Sequence, residues 1–227
     1  MTPEVHVVLL HYPVLNRRGD IVSTAVTNLD IHDIARSART FCVRSYHIVT
    51  PLDAQLELVS RIMAHWKVGH GAKQFPTRME AMELVRVSRS LDEALECIRD
   101  GREGAPVLVA TCARDIGQVT FGELRQRMAA APEVPHVILF GTGFGIADEV
   151  LQRADIILEP IGTASDWNHL SVRAAVAITL DRLLHWWKQP GRIACEQAET
   201  INSACGDRCP FLDLRPVLYA AGTQRWR

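Results

Sequence analysis

Apolar residues along this chain fall into short blocks that alternate with stretches of helical period, starting with Val5-His-Val-Val-Leu-Leu10. Apolar or β-branched blocks bounded by polar and turn residues predict strands at 5–10, 44–49, 84–87, 107–110, 136–140 and 155–158. Between them the spacing changes to three and four. A helix is predicted from Asp30, with Asp33 three residues on as a carboxylate cap and Ile34, Ala35, Ala38 and Phe41 as its apolar stripe. Leu52, Leu56, Val59, Met63 and Trp66 mark a second helix. Thr120 and Glu123 form a capping pair ahead of Leu124 and Met128. The longest helical stretch is read over 167–187, with a small face of Ala174, Ala175 and Ala177. Strands alternating with helices predict an α/β fold with a mainly parallel sheet flanked by helices. No internal repeat or low-complexity linker divides the chain, so residues 1–189 read as one domain and 190–227 as a C-terminal tail packing on it.

The most informative stretch lies late. The strand at 136–140 runs into Gly141-Thr-Gly-Phe-Gly145, and the strand at 155–158 runs into a second loop, Glu159 to Asp166. Loops at the carboxyl ends of neighbouring strands are where open α/β sheets bind small ligands. A P-loop is excluded, because no Gly-Lys-Ser/Thr follows. A dinucleotide fingerprint needs G-x-G-x-x-G in a first βα unit, whereas these glycines are spaced G-x-G-x-G near the end of the sheet. A tight turn in which glycine only permits positive φ is the plain alternative.

Three motifs taken in order resemble the SPOUT methyltransferases, RNA methyltransferases with a trefoil-knotted α/β fold. The first is Asn28 followed by a helix with the core Ile34-Ala-Arg36-Ser-Ala38 and the ending Phe41-Cys-Val43. The second is Leu139-Phe-Gly-Thr-Gly-Phe-Gly-Ile146. The third runs from Leu158-Glu-Pro-Ile-Gly162 through Asn168-His-Leu-Ser-Val-Arg173. The second motif lacks the Glu usual in SpoU-type members, and the third has Asn168-His-Leu-Ser171 where SpoU has a shorter step. Both are closer to a branch of SAM-dependent RNA methyltransferases related to the tRNA guanine-N1 enzymes.

The resemblance implies a C-terminal trefoil knot, S-adenosylmethionine (SAM) as cofactor, a tRNA or rRNA substrate and a homodimer. It places Gly141, Gly143, Gly145, Ile161, Gly162 and Leu170 at the cofactor, where backbone amides of glycine loops hold adenine and methionine. Thr111 joins them because its strand is expected to neighbour the other two, with a cap or turn as its alternative. Arg36 is expected at the acceptor, near the partner subunit's site; otherwise it is a helix-surface arginine paired with Asp33 or Asp30. Asn168 and Ser171 are third-motif polar groups, with helix capping as the alternative. Glu159 is expected as a proton acceptor or a partner of cofactor hydroxyls. Asp30, Asp33 and Asp166 are read as capping groups before general bases.

Bulk properties agree without selecting a function. The formal net charge of −1 attracts no polyanion globally, so RNA contact requires a local patch. Residues 61–89 supply one, with six Lys/Arg against two acids, interleaved with His65, Trp66 and Phe75. No apolar run reaches the length of a membrane span, and the start of the chain lacks the basic region of a signal peptide. Six scattered cysteines suggest a reducing, cytoplasmic setting. Cys195, Cys205 and Cys209 number one too few for a closed zinc site, and no metal is expected. His11, His32 and His169 read as packed or surface histidines. A non-catalytic SAM- or nucleotide-binding knot module stays open beside the enzyme, and a flavodoxin-type protein is disfavoured by the absence of an early phosphate loop.

Overall fold

All six residues of Val5–Leu10 are buried, the signature of a strand covered on both faces in the middle of a parallel sheet. The computed structural model describes residues 2–67, 74–99, 104–162 and 167–187. In chain order its first half holds β1 (Val5–Leu10), the short strands β2 (Val14–Leu15) and β3 (Ile21–Val22), α1 (Asn28–Thr40), β4 (Ser45–Val49), α2 (Asp53–Lys67), α3 (Pro76–Met82) and β5 (Val85–Ser88). The second half adds α4 (Leu91–Arg99), β6 (Val107–Thr111), α5 (Phe121–Ala130), β7 (His136–Gly141), α6 (Asp148–Leu151), β8 (Ile156–Leu158) and α7 (Val172–Leu184).

The main sheet has the order β5-β4-β1-β7-β6-β8, and every pair in it is parallel. From β1 the chain builds outward through β4 to β5, then crosses to the other side for the remaining three strands. The reversal lies between β1 and β7. A crevice opens there at the carboxyl ends, because the flanking connections leave in opposite directions.

Alternation along the strands divides the core. Val5, Val7 and Leu9 point with Tyr46, Ile48, Ile138 and Phe140 toward α1, α2, α3, α5 and α7. Val8, Leu10, Val49, Val137 and Leu139 face the other way, toward α4 and α6. One face therefore carries most of the helices.

Three expectations need correction. The stretch read as a helix over 167–187 is helical only from Val172, because the Ser171 side chain caps it by accepting from Ala174 N–H at 3.3 Å. Helix α1 starts at Asn28 rather than Asp30: Thr27 is the N-cap, its hydroxyl oxygen accepting from Asp30 N–H at 3.1 Å. The strands carrying the two ligand loops are not neighbours, since β6 lies between them. That places Thr111 between the loops, as its strand was expected to be. Trp187 is partly buried against the larger core. The Thr120–Glu123 capping box at α5 is present as read. The knot was expected on a stretch that includes residues 163–166, and the tail with Cys195, Cys205 and Cys209 follows residue 187; both lie outside the described residues.

Candidate active site

At the carboxyl ends of β7, β6 and β8 lies a cleft of about 780 Å³, within the size range of sites for drug-sized ligands. Its described walls come from residues 24–30, the loop after β6, Phe121 at the start of α5, the glycine loop after β7, Leu158 to Ile161, and Asn168 onward into α7. Thr111, Gly141, Gly143, Gly145, Glu159, Ile161, Asn168, Leu170 and Ser171 all line it. Gly162 sits beside it, with Asn168 Nδ2 3.8 Å from where a Cβ would be. Arg36 does not line it.

Two of the glycines also answer a steric demand inside the protein itself. A Cβ on Gly141 would fall 2.7 Å from Ile146 N, and one on Gly143, at φ +61°, would fall 2.8 Å from the Leu15 carbonyl oxygen. Both approaches are to the protein's own backbone. The loop is stitched to the β2 segment by Phe144 N–H to Leu15 O and Leu15 N–H to Gly145 O, each 2.9 Å. Glycine is needed here to let the loop close on its neighbour.

Beneath the loop, hydrogen counting fixes a polar chain. Thr142 donates its only hydroxyl proton to Leu10 O at 3.1 Å, so the Thr24 hydroxyl must donate to Thr142. Thr24 can then only accept from His11, whose Nδ1 lies 2.9 Å away. His11 is therefore the neutral Nδ1–H tautomer, with Nε2 buried and unpartnered. Burial pushes its pKa from 6.5 down to about 4, outweighing the nearby Asp30 carboxylate. The folded pKa is below the unfolded one, so this stabilisation is complete above pH 6.5 and is lost as pH falls toward 4. The full difference amounts to about 3 kcal/mol. Melting curves from pH 8 to pH 4 should therefore show a steeper acid loss for the wild type than for His11→Asn, which keeps a donor near Nδ1 but does not titrate. Equal slopes would refute this account.

The polar side chains of the site hold its loops. Thr111 Oγ1 donates to Leu139 O at 2.9 Å, tying β6 to β7. Asn168 Nδ2 donates to Ala113 O at 3.0 Å, joining the third-motif loop to the loop after β6. Glu159 Oε1 accepts from Phe121 N–H at 2.7 Å, capping α5. Directly behind Glu159, a Cβ on Gly117 would lie 2.5 Å from its Cα, so this close packing excludes any larger residue. A lone glycine in Asp115-Ile-Gly-Gln118 is too weak a signal to have marked it.

Two further features escaped the sequence reading. Arg173, quoted in the third motif without a role, pairs with Asp30 at 3.0 Å and Asp33 at 3.4 Å, clamping α7 to α1. It occupies the carboxylates expected for Arg36, which is exposed and has no ion pair among the described residues. The segment before α1 contributes Thr24, Ala25, Thr27 and Asp30 to the cleft; only the Thr-x-x-Asp step ahead of the helix hinted at it.

Chemically the cleft offers backbone amides and apolar surface. The N–H groups of Ile161, Gly162 and Leu170 have no acceptor among the described residues. Leu158, Ile161, Leu170 and Val172 supply apolar walls. Amides without an acceptor among the described residues, beside an apolar slot, suit the edge and faces of a nucleobase. Among the described residues no group of His, Cys, Asp and Glu could hold a metal ion.

Over residues 4–185 the sequence matches the protein family described as SAM-dependent RNA methyltransferase. The chain belongs to that family. A protein of Aquifex aeolicus (strain VF5), named only as uncharacterized, is 45% identical over 180 residues, covering 79% of this chain and 87% of the relative. A tRNA (guanine-N(1)-)-methyltransferase of Oleidesulfovibrio alaskensis is 42% identical over 176 residues, covering 78% of this chain but 41% of the relative. Against that relative, this chain spans well under half the length. The solved SpoU methyltransferase AviRb of Streptomyces viridochromogenes, in complex with AdoMet, superposes with a TM-score of 0.52 at 14% identity. That likeness covers 82% of this chain and 58% of the other, and it is one of fold. The cofactor of this SAM-dependent RNA methyltransferase is SAM, and the unengaged amides and apolar walls of the cleft fit its adenosine.

Proposed function

We propose that this cleft binds SAM and that the chain, as a cytoplasmic homodimer with a trefoil knot at its carboxyl side, methylates a nucleotide of tRNA or rRNA. The observation that carries the reading is the slot between Gly141–Gly145 and Leu158–Leu170, where three unengaged amides meet apolar walls. SAM supplies a methyl group already activated on a sulfonium, so the protein's task is to place the acceptor and manage its proton. Ile161, Gly162 and Leu170 hold the adenine edge through their backbones. Asn168 and Ser171 keep the third-motif loop in place, and Glu159 does the same for α5. Arg36 faces outward on α1 and serves the acceptor in the partner subunit's cleft.

The dimer is supported by apolar side chains exposed at the cleft mouth: Trp167 is 77% and Phe144 61% exposed. No described helix is long and apolar enough to cross a membrane.

Calorimetric titration with SAM, followed by mass spectrometry of tRNA and rRNA from a deletion strain, tests the proposal. Micromolar binding and one missing methylated nucleotide are expected. SAM binding with an unchanged modification profile would favour the non-catalytic module, because Glu159, Asn168 and Ser171 are all engaged in holding the fold.

A further inference from the structure

The outer surface of α1, the end of α2 and the start of α3 meet in a cluster that the cleft does not use. The Arg78 guanidinium lies 4.6 Å from the centre of the Trp66 ring and 5.7 Å from that of Phe75. Trp66 and Phe75 are 6.3 Å apart at 59°, and His32 meets Trp66 edge-on at 5.3 Å. Phe75 is 50% exposed, although it contributes to no core cluster. These residues come from the basic, aromatic stretch that the sequence singled out and from the first-motif helix.

The charges around this cluster are unbalanced. Neighbouring cations are matched: Arg39 with Glu80 at 3.3 Å, Arg61 with Glu57 at 2.5 Å, and Arg173 with Asp30 and Asp33. Arg36 and Arg78 have no carboxylate partner among the described residues. Burial lowers the His32 pKa first; Arg78 lowers it further, Asp33 raises it and Arg36 lowers it, so both guanidiniums and one carboxylate lie near this ring. His32 Nδ1 is buried without a partner. The cluster thus joins an exposed Phe75, a half-buried Trp66 and two guanidiniums that lack a carboxylate partner among the described residues.

From this arrangement we infer a nucleotide-stacking shelf, on which Phe75 and Arg78 take an unpaired base of the RNA substrate while Arg36 meets the adjoining phosphate. Aromatic rings and guanidinium planes stack on any base, and cations track the backbone. The position suits the substrate. Asp30 lines the cleft, and Arg36 lies six residues further along the same helix, about 9 Å at 1.5 Å per residue. In the proposed dimer, where Arg36 reaches the partner subunit's cleft, the shelf beside it grips the strand that enters that cleft. The inference rests on the proposed RNA reading and adds the surface that grips the strand outside the cleft.

The test uses fluorescence anisotropy with two probes, unfractionated bacterial tRNA and a single-stranded 12-nucleotide oligouridylate, with SAM titrations in parallel. Phe75→Ala is expected to weaken binding of both probes about tenfold, Phe75→Trp to restore it, and both to bind SAM as the wild type does. Arg78→Gln is expected to weaken binding of both probes about tenfold, and Arg36→Gln to flatten the salt dependence of oligouridylate binding by about 0.7 in log–log slope, the loss of one phosphate contact. Wild-type RNA affinity in folded Phe75→Ala and Arg78→Gln proteins would overturn the shelf while leaving the cleft assignment intact. A change from dimer to monomer in those variants with RNA affinity retained would overturn it in favour of a second copy as occupant. Failure of the wild type to bind either probe would overturn the shelf and the RNA reading together, while SAM binding would still stand or fall separately.

Discussion

A valine at position 143 is expected to abolish SAM binding and to lower thermal stability at the same time. Gly143 sits at φ +61°, where a β-branched residue is strained by roughly 1–3 kcal/mol, and its Cβ would lie 2.8 Å from the Leu15 carbonyl oxygen. The loop would have to leave β2, breaking the Phe144–Leu15 and Leu15–Gly145 hydrogen bonds. Thr142 would move with it, and the chain from His11 through Thr24 to Leu10 O would lose its middle member. Because loop and ligand fail together, this variant cannot by itself locate the ligand. Ala113→Trp can. Ala113 is exposed, lines the cleft and uses only its backbone carbonyl, toward Asn168. An indole there fills the slot without disturbing the core, so SAM affinity should fall by about a hundredfold or more with an unchanged melting temperature. A folded Ala113→Trp protein that binds SAM as tightly as the wild type would place the cofactor elsewhere.

The architecture was legible because its signals are local and periodic. Buried parallel strands write themselves as apolar blocks, and all six predicted blocks match the observed strands to within one residue at either end. The third-motif segment misled because Trp167, Leu170 and Trp187 continue a plausible helical spacing; Ser171 overrides it with a capping bond that the pattern does not encode. Strand order was illegible for a different reason. Nothing in the periodicity of β6 says that it inserts between β7 and β8, and only the resemblance and the need for adjacent loops pointed there. In the site, Glu159, Asn168 and Ser171, read as candidates from the motifs, all line the cleft. Each also spends a polar atom on a backbone group, Glu159 and Asn168 in another segment and Ser171 in the first turn of the helix it caps. Arg173, which commits Asp30 and Asp33, was invisible because ion pairs across 143 residues leave no spacing signal.

That commitment of Asp30 and Asp33 gives the Arg36 test its force. A helix-surface arginine paired with either carboxylate would be worth a few tenths of a kcal/mol and no more. Here both carboxylates belong to Arg173, and Arg36 projects unpaired from α1, outside the cleft of its own chain. Arg36→Ala should leave the fold intact, since alanine is the better helix former. SAM affinity should stay within about threefold, a difference under roughly 0.7 kcal/mol. Methyl transfer to the mapped RNA should fall by about a hundredfold, as expected when a cation that meets developing charge is removed. A subunit-mixing experiment separates action in the partner's cleft from action on RNA at a distance. In a heterodimer of Arg36→Ala with Ala113→Trp, one site combines an open cleft with an intact Arg36 from the partner. Mixing the two inactive variants should therefore restore about a quarter of wild-type turnover, half the particles carrying one competent site of two. If the mixture stays inactive although both variants remain dimeric and bind RNA, Arg36 does not serve the partner's cleft. Wild-type turnover in Arg36→Ala alone would remove it from the reaction entirely.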